Sequence, residues 1–465
     1  MMSNKKNGFL QAWVWMAVAV LLIEAGLALW AGLPGQLSTD SIIQLYEGRT
    51  HQTISFNPAL MAILLGVLDS LGNAPIGFVL LSQGLFSWAV WLAFGERTSR
   101  GRWWQFLLAA VLICNPVVLA YTGIVWKDVL FAHASIALFL LINRWYEQKS
   151  KPDILQICVV VVLMTIVIGV RQQGLLFALI AAVWLASFFE KTKLRVLALT
   201  IPFVLGPWLL NKTLSDVVQK PFPDGVNVAT VGLKILMQYD LVGISANGGT
   251  LPARAPSSSE GKALANITMQ TPQYDRFRVD TLVGPSSDYW ALPIADTVKL
   301  WSGAISANFG LYAKHRMDHF STLLGFEDMR KCLPVHSGIS GPVQHSLVEQ
   351  ELTSFLGLQP GMNHSSEYVI RTVWELTKTP LLMHWAYALI LLVIAVVLLI
   401  QKRYVLLSLV GCCFTYLASY FVLGIACDFR YGYVLTASAS VLAVAALFGC
   451  PKGVQSHHDL TAALR

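Results

Sequence analysis

The amino-acid sequence predicts an all-α polytopic membrane protein of about ten transmembrane helices, with a mainly helical extracytoplasmic domain. Three observations lead there. Of 465 residues, 55% are hydrophobic and only 13% are charged, whereas a soluble domain carries roughly 25% charged residues. The apolar residues come in blocks of about 15 to 23, and at 1.5 Å rise per residue such blocks cross a hydrocarbon core of about 30 Å. The alternation expected of a membrane barrel is absent. This composition excludes a disordered chain and a nucleic-acid module, and weighs against a soluble enzyme. The net charge of +7 is modest, so its placement matters more than its size.

In chain order the apolar runs are Phe9–Leu33, Pro58–Leu71, Ile76–Phe94, Trp103–Tyr121, Val129–Asn143, Ile154–Val170, Gly174–Phe189, Val196–Leu210, Leu381–Ile400, Tyr404–Ile425 and Tyr433–Phe448. The first is too long for a signal-peptide core, and no small-residue cleavage pattern follows it, so it reads as an uncleaved span. Basic residues set the orientation. Lys5 and Lys6 precede the first run. Clusters then follow at Arg97/Arg100/Arg102, Arg144/Lys149/Lys151, Lys191/Lys193/Arg195 and Lys402/Arg403, with Lys452 and Arg465 after the last run. All fall on one side only if Pro58–Leu71 does not cross. That segment is short and carries Asp69, so it reads as an interfacial or re-entrant helix. Both ends of the chain are then cytoplasmic.

The organisation that follows has four parts. Residues 1–210 form an N-terminal transmembrane module whose first external loop is 34–57. Residues 211–380 form an extracytoplasmic domain, with loop-like Pro/Gly/Ser stretches such as Pro252–Gly261 and helical character over Asp296–Leu324. Residues 381–450 hold the C-terminal spans, and 451–465 a short cytoplasmic tail. Pro202 and Pro207 are expected to kink the span that leads into the external domain. The cysteines show no metal spacing. Cys114, Cys158, Cys412 and Cys413 lie in spans as small apolar residues, and Cys450 sits at the cytoplasmic edge. Cys332 and Cys427 fall on the outer face, where a disulfide between them is one open reading.

Ionisable residues near membrane depth are costly, so the few in the short outer loops are informative. Asp40 follows the first span closely. Ser38 or Thr39 can cap a helix through Ser41–Glu47, with Asp40 in its first turn. As structure, Asp40 is a dipole-stabilising acid; as function, it is a carboxylate at the membrane–water boundary. The apolar residues Ile42, Ile43, Leu45 and Tyr46 suggest a helix lying on the membrane surface. The second loop, Tyr121–Asp128, ends in Trp126-Lys127-Asp128: either a belt residue, a snorkelling lysine and a helix-start acid, or charges facing a cavity. The third, Arg171–Gly174, offers an anchoring arginine or a phosphate ligand. The fourth, Cys427–Tyr431, carries Asp428 and Arg430 among aromatics: a structural ion pair or a ligand site. Carboxylates to accept a proton and cations to stabilise phosphate are the types that transfer from a phosphate-linked donor requires.

These segments together resemble the GT-C superfamily of integral-membrane glycosyltransferases, of the bacterial type that takes sugars from polyprenyl-phosphate carriers. The likeness rests on Ser38-Thr39-Asp40, Asn57-Pro58, Trp126-Lys127-Asp128, Arg171-Gln172-Gln173-Gly174, Asp428-Phe429-Arg430-Tyr431, and the stretch Tyr312–Phe320. It covers Leu10–Leu210 and Leu381–Phe448. It implies Asp40 as catalytic base, Asp128 as the assisting acid, and Lys127, Arg171 and Arg430 on the donor phosphate. Asp428, Tyr431, Arg316 and His319 would support the site. Many members carry an acidic pair in the first loop, often with a divalent metal. Here Ser41 follows Asp40 and Glu47 is two turns on, so no metal and no other cofactor is expected, and the cations would take the metal's electrostatic role.

The function so implied moves a sugar from the lipid carrier to an acceptor hydroxyl, with inversion. The acceptor is a glycan, a lipid or an exported protein such as a pilin, and the site lies on the periplasmic face of the inner (plasma) membrane. The partners are the donor, the acceptor and the bilayer, with no nucleic acid. His315, Arg316, His319 and His336 in the external region either contact the acceptor or serve structure. A transporter or flippase for a lipid-linked saccharide is the alternative. It would place ionisable residues near span centres, where Glu24 and little else stands, and would show paired halves, which are absent. A non-enzymatic assembly or receptor protein is the third reading.

Overall fold

The computed structural model describes residues 2–55, 57–95, 102–220, 228–282, 287–339, 346–359 and 364–449. Arg97, Arg100, Cys450, Lys452, Arg465 and the tail 451–465 lie outside the described residues, as do the side chains of Lys5 and Lys6. The described residues are mostly helical, with no strand and only isolated bridges. The first half runs α1 (Met2–Gly32), α2 (Thr39–Thr50), α3 (Ala59–Ser70), α4 (Ala74–Phe94), α5 (Trp103–Ile113), α6 (Pro116–Thr122), α7 (Lys127–Gln148), α8 (Ile154–Val170), α9 (Gly174–Ala186) and α10 (Lys193–Val218). There follow α11 (Val228–Ala246), α12 (Ser259–Met269), α13 (Asp288–Ala291), α14 (Ile294–Ala307), α15 (Phe309–Leu324), α16 (Ser346–Leu356) and α17 (His364–Glu375). The chain ends in α18 (His384–Ile400), α19 (Tyr404–Leu423) and α20 (Tyr433–Phe448).

Among the described residues, six helical stretches are long and apolar enough to cross a membrane: Ala12–Gly32, Ala74–Phe94, Lys127–Gln148, Lys193–Val218, Tyr404–Leu423 and Phe429–Phe448. The run Trp103–Tyr121 is not one straight helix. α5 and α6 meet at 55°, because Pro116 has no N–H to continue the ladder and its ring pushes the preceding residue out of the helical region. The Asn115 side chain accepts from the Val117 N–H at 3.0 Å and caps the new start. α3, α8, α9 and α18 are shorter apolar helices.

Burial orders the bundle. The apolar window of α7 is 89% buried and that of Phe429–Phe448 78%, against 22% for α1 and 17% for α10. α7 is therefore the central post, packed on α4, α8, α9, α19 and α20, while α1 and α10 turn residues such as Trp15, Leu22 and Leu197 outward. Two buried polar clusters inside the bundle are paired, as an apolar solvent favours. His133 of α7 bonds the Ser82 hydroxyl and the Tyr433 hydroxyl, each at 2.9 Å, linking α4, α7 and α20. Glu24, the acid near mid-span, is buried and accepts from Gln83 Nε2 at 2.7 Å.

α2 starts where expected, with Ser38 before it and Asp40 in its first turn. It does not lie open on a surface. Ser41, Ile42, Leu45 and Gly48 are buried, α3 packs on one side, and Phe355 of α16 stacks edge-on against Tyr46. α2 and α3 cross at Gly48 and Gly66 so closely that a Cβ on Gly48 would stand 2.2 Å from the Ala62 carbonyl oxygen. Asp69, at the end of α3, is held by Arg49 through Nε at 2.8 Å and Nη2 at 2.9 Å.

Helices α16 and α17 pack Leu356 and Val373 into the core of the main bundle, whereas α11–α14 have a core of their own around Leu241, Val242, Ala263, Ile267, Tyr289, Leu300 and Ala304. Beside it, buried Asp240 accepts from Trp301 Nε1 at 2.8 Å and pairs with Arg316 at 2.5 Å and His315 at 3.2 Å. Arg316 Nη1 also donates to the Gly424 carbonyl at 2.6 Å, tying α15 to the end of α19. Cys332 and Cys427 form a disulfide, and the Phe429 N–H donates to the Cys332 carbonyl at 3.0 Å. The helical region and the 424–429 segment are thus sewn together.

Candidate functional site

Four separated segments meet at the end of the bundle where α7 begins. The first lies between α1 and α2. Extended Gln36 and Leu37 run between two other segments like a short strap. The Gln36 N–H donates to the Gly123 carbonyl and the Val125 N–H to the Gln36 carbonyl, both at 2.9 Å. The Leu37 N–H donates to the Gly338 carbonyl at 2.9 Å. Glycine is required at this join: a Cβ on Gly123 would lie 2.2 Å from the Gly32 Cα. Side chains complete it. Trp126 Nε1 donates to the Ser38 hydroxyl at 2.8 Å, and the Ser41 hydroxyl to the Val125 carbonyl at 2.7 Å. His336 sits over the strap, its Nε2 donating to the Leu37 carbonyl at 2.9 Å. Burial holds that ring near a pKa of about 4, so it is neutral at neutral pH.

This scaffold aims Asp40 at the fourth segment. Arg430 Nη1 donates to Asp40 Oδ2 at 2.7 Å, while its Nε faces Asp428 Oδ2 at 3.1 Å. Its guanidinium lies 5.1 Å from the Trp126 ring centroid and 5.3 Å from that of Tyr431. Arg171 approaches the same Tyr431 ring at 5.3 Å, donates to the Tyr420 hydroxyl at 3.1 Å, and forms an ion pair with Asp128. Tyr431 is therefore within cation–π reach of both guanidiniums, and the Tyr420 ring stacks on it with centroids 5.2 Å apart. Lys127 is bonded to the Asn57 side-chain oxygen. Glu47, buried on the same face of α2 two turns on, accepts the N–H groups of Ile54 at 2.8 Å and Ser55 at 2.7 Å, shaping the loop that presents Asn57.

The acids differ sharply in access. The Asp40 side chain is 35% exposed and Asp428 21%, but Asp128 only 2%. Burial alone would raise the Asp40 pKa. The opposing charges of Arg430, then Lys127 and Arg171, outweigh it and bring Asp40 down to about 2. Asp428 is shifted the other way, chiefly by burial. Asp40 is thus an ionised, reachable carboxylate beside two guanidiniums and the Lys127 amine. Asp128 is a buried counter-ion for Arg171.

Of the residues singled out in the sequence, Asp40, Asp128, Lys127, Arg171, Asp428, Arg430 and Tyr431 come together. Arg316 and His319 do not join them: Arg316 belongs to the Asp240 network, and His319 Nδ1 bonds the Arg276 carbonyl at 2.8 Å. Burial lowers His319 to about 4 and lowers His315 as well, so both rings are neutral fixtures of the helical region. A groove of about 420 Å³ in that region, between residues 245–254 and 261–268, contains none of the clustered charges. Sequence reasoning did not find Tyr420, the strap, or the anchoring of His336. The only local signal was aromatic residues placed beside Lys127 and Arg430. Among the described residues, no three His, Cys, Asp or Glu side chains converge as a metal set would. Compared with known proteins, the chain matches no family model, no curated protein and no solved structure, so the functional reading stands on this cluster.

Proposed function

We propose that the protein is an inverting membrane glycosyltransferase that uses a polyprenyl-phosphate sugar, with its site on the extracytoplasmic face of the plasma membrane. The observation that carries this reading is the meeting of one ionised, accessible carboxylate, Asp40, with Lys127, Arg171 and Arg430, each from a different segment. In the reaction, Asp40 takes the acceptor hydroxyl proton as that oxygen attacks the anomeric carbon. The bond from that carbon to the phosphate oxygen breaks, and the carrier leaves as a phosphate whose charge the cations stabilise. Asp128 keeps Arg171 in place rather than meeting the acceptor.

Sidedness is supported by the Cys332–Cys427 disulfide, which adjoins Asp428, since such bonds persist in oxidising compartments. It agrees with the basic residues. At the opposite end of α7, Arg403 pairs with Glu147 at 2.6 Å. The span count in this reading adds α8, α9 and α18 to the six long stretches and the bent α5–α6 pair, about ten in all, with α3 re-entrant. The helices α11–α17 then form the extracytoplasmic domain that receives the acceptor.

The test is transfer of labelled sugar from a polyprenyl-phosphate donor into envelope glycans, lipids or proteins by membranes carrying the full chain. Asp40→Asn should cost about 10²-fold or more. Near-normal transfer by a folded Asp40→Asn protein removes Asp40 from the role.

A further inference from the structure

The charges at this site are already matched to one another. Arg171 is paired with Asp128, and Arg430 with both Asp40 and Asp428, so an anion cannot simply add to a vacant positive hollow. Something must yield. Arg171 and Asp128 are 12% and 2% exposed and lie deepest. Arg430 and Asp40 are 14% and 35% exposed and form the outermost pair. Arg430 also spends different donors on its two acids: Nη1 on Asp40, Nε toward Asp428. The Trp126 and Tyr431 rings lie 5.1 and 5.3 Å from the guanidinium and hold it without either acid.

We propose that Arg430 is a shared clamp: it clasps Asp40 while the site is empty and exchanges that carboxylate for the anionic oxygen of the donor's phosphodiester, while Asp428 acts as the positioning residue that keeps the guanidinium in place. This inference rests on the transferase reading and deepens it. One negative charge replaces another on the same nitrogen, so Arg430 is never left unpaired in the desolvated cluster. Asp40 leaves without its strongest partner and is free to meet an acceptor hydroxyl. Held by Arg430 it is a weak base; released, it recovers basicity toward that of an ordinary carboxylate. The base is thereby armed by the donor, so an acceptor is not engaged before there is a sugar to transfer.

The experiment is binding of farnesyl methyl phosphate, a monoanionic isoprenyl phosphodiester, to the purified full chain in phosphatidylcholine nanodiscs, by calorimetry. Exchange requires that Asp40→Asn, which removes the competing carboxylate, tighten binding roughly tenfold. Arg430→Gln should weaken it by a similar factor or more. Asp428→Asn is the control for net charge: it also removes an acid, yet should weaken binding because Arg430 loses its support. Equal or weaker binding by Asp40→Asn overturns the exchange, and tightening by Asp428→Asn to the same extent reduces the effect to bulk charge and overturns it too. Dihexanoyl phosphatidylglycerol run in parallel tests the source of the phosphodiester: a matching response assigns the site to bilayer headgroups and overturns the donor. If the wild-type chain binds no isoprenyl probe, the transferase reading itself fails along with the exchange. Monodisperse elution and an intact Cys332–Cys427 bond confirm folding of each variant, and Arg430→Lys, which keeps the charge but loses the fork, should bind at an intermediate level.

Discussion

Arg171→Gln is the sharpest structural test of the charge cluster. It removes the cation from an acid that is only 2% exposed, and breaking a buried pair in this way costs about 3–5 kcal/mol because the remaining charge has neither partner nor water. The expected loss in melting temperature follows from size. At about 2 cal/mol/K of unfolding entropy per residue, 465 residues give about 1 kcal/mol per degree, so the shift is about 3–5 °C. That is a lower bound, because helices in detergent keep their backbone hydrogen bonds and unfold with less entropy than this. The assay is thermal unfolding in detergent of wild type, Arg171→Gln, Asp128→Asn and the double variant. Replacing both charges leaves two neutral groups able to bond each other, so the double variant should be more stable than Arg171→Gln alone. Additive losses, or a single variant within 1 °C of wild type, would refute the claim that the pair is buried and mutually dependent.

Three further outcomes follow from the structure. The carboxyl of Asp40 is depressed to about 2 against roughly 3.9 in an unfolded chain. Its contribution to stability is therefore complete above about pH 5 and lost as pH falls toward 2, read as a fall in the thermal midpoint over that window that Asp40→Asn abolishes. Gly66→Ala puts a Cβ 2.5 Å from the Gly48 carbonyl oxygen, which should cost about 1–3 kcal/mol through forced separation of α2 and α3, read in the same thermal assay. Cys332→Ser with Cys427→Ser releases a link across 95 residues and should lower stability by about 4 kcal/mol. Without reductant, the wild-type chain should also migrate faster on a denaturing gel than the double variant.

The bundle was legible because span length and composition are local properties. Ile154–Val170 and Tyr433–Phe448 are bounded as read from the apolar runs, and the start of α2 follows from Ser38 and Asp40. The bend at Asn115-Pro116 was written in the chain too, but an uninterrupted apolar run concealed it. The charged residues of the outer loops were legible as residue types, and their convergence was an inference from topology. What could not be read is who faces whom. Lys127 and Asp128 are neighbours in sequence, yet one bonds Asn57 and the other pairs with Arg171. Arg316 stood in a stretch that resembled the family, but its partner Asp240 is 76 residues away (316 − 240) in a helix with no marking feature. Long-range pairing of this kind depends on packing, which composition does not encode.

The placement of Lys127 and Asp128 on the first turn of α7 has a mechanical consequence. That helix is the one on which its neighbours lean, so this corner of the cluster is anchored to the stiffest part of the molecule. Asp40 rides instead on a helix joined to α1 by a few extended residues at the rim. That helix is itself clamped on α3 where Gly48 meets Gly66, and its Ser41 hydroxyl is bonded to the Val125 carbonyl two residues before Lys127. Acid and lysine are thus fixed in one frame, and spin labels on α2 and at the start of α7 should report a narrow spread of distances.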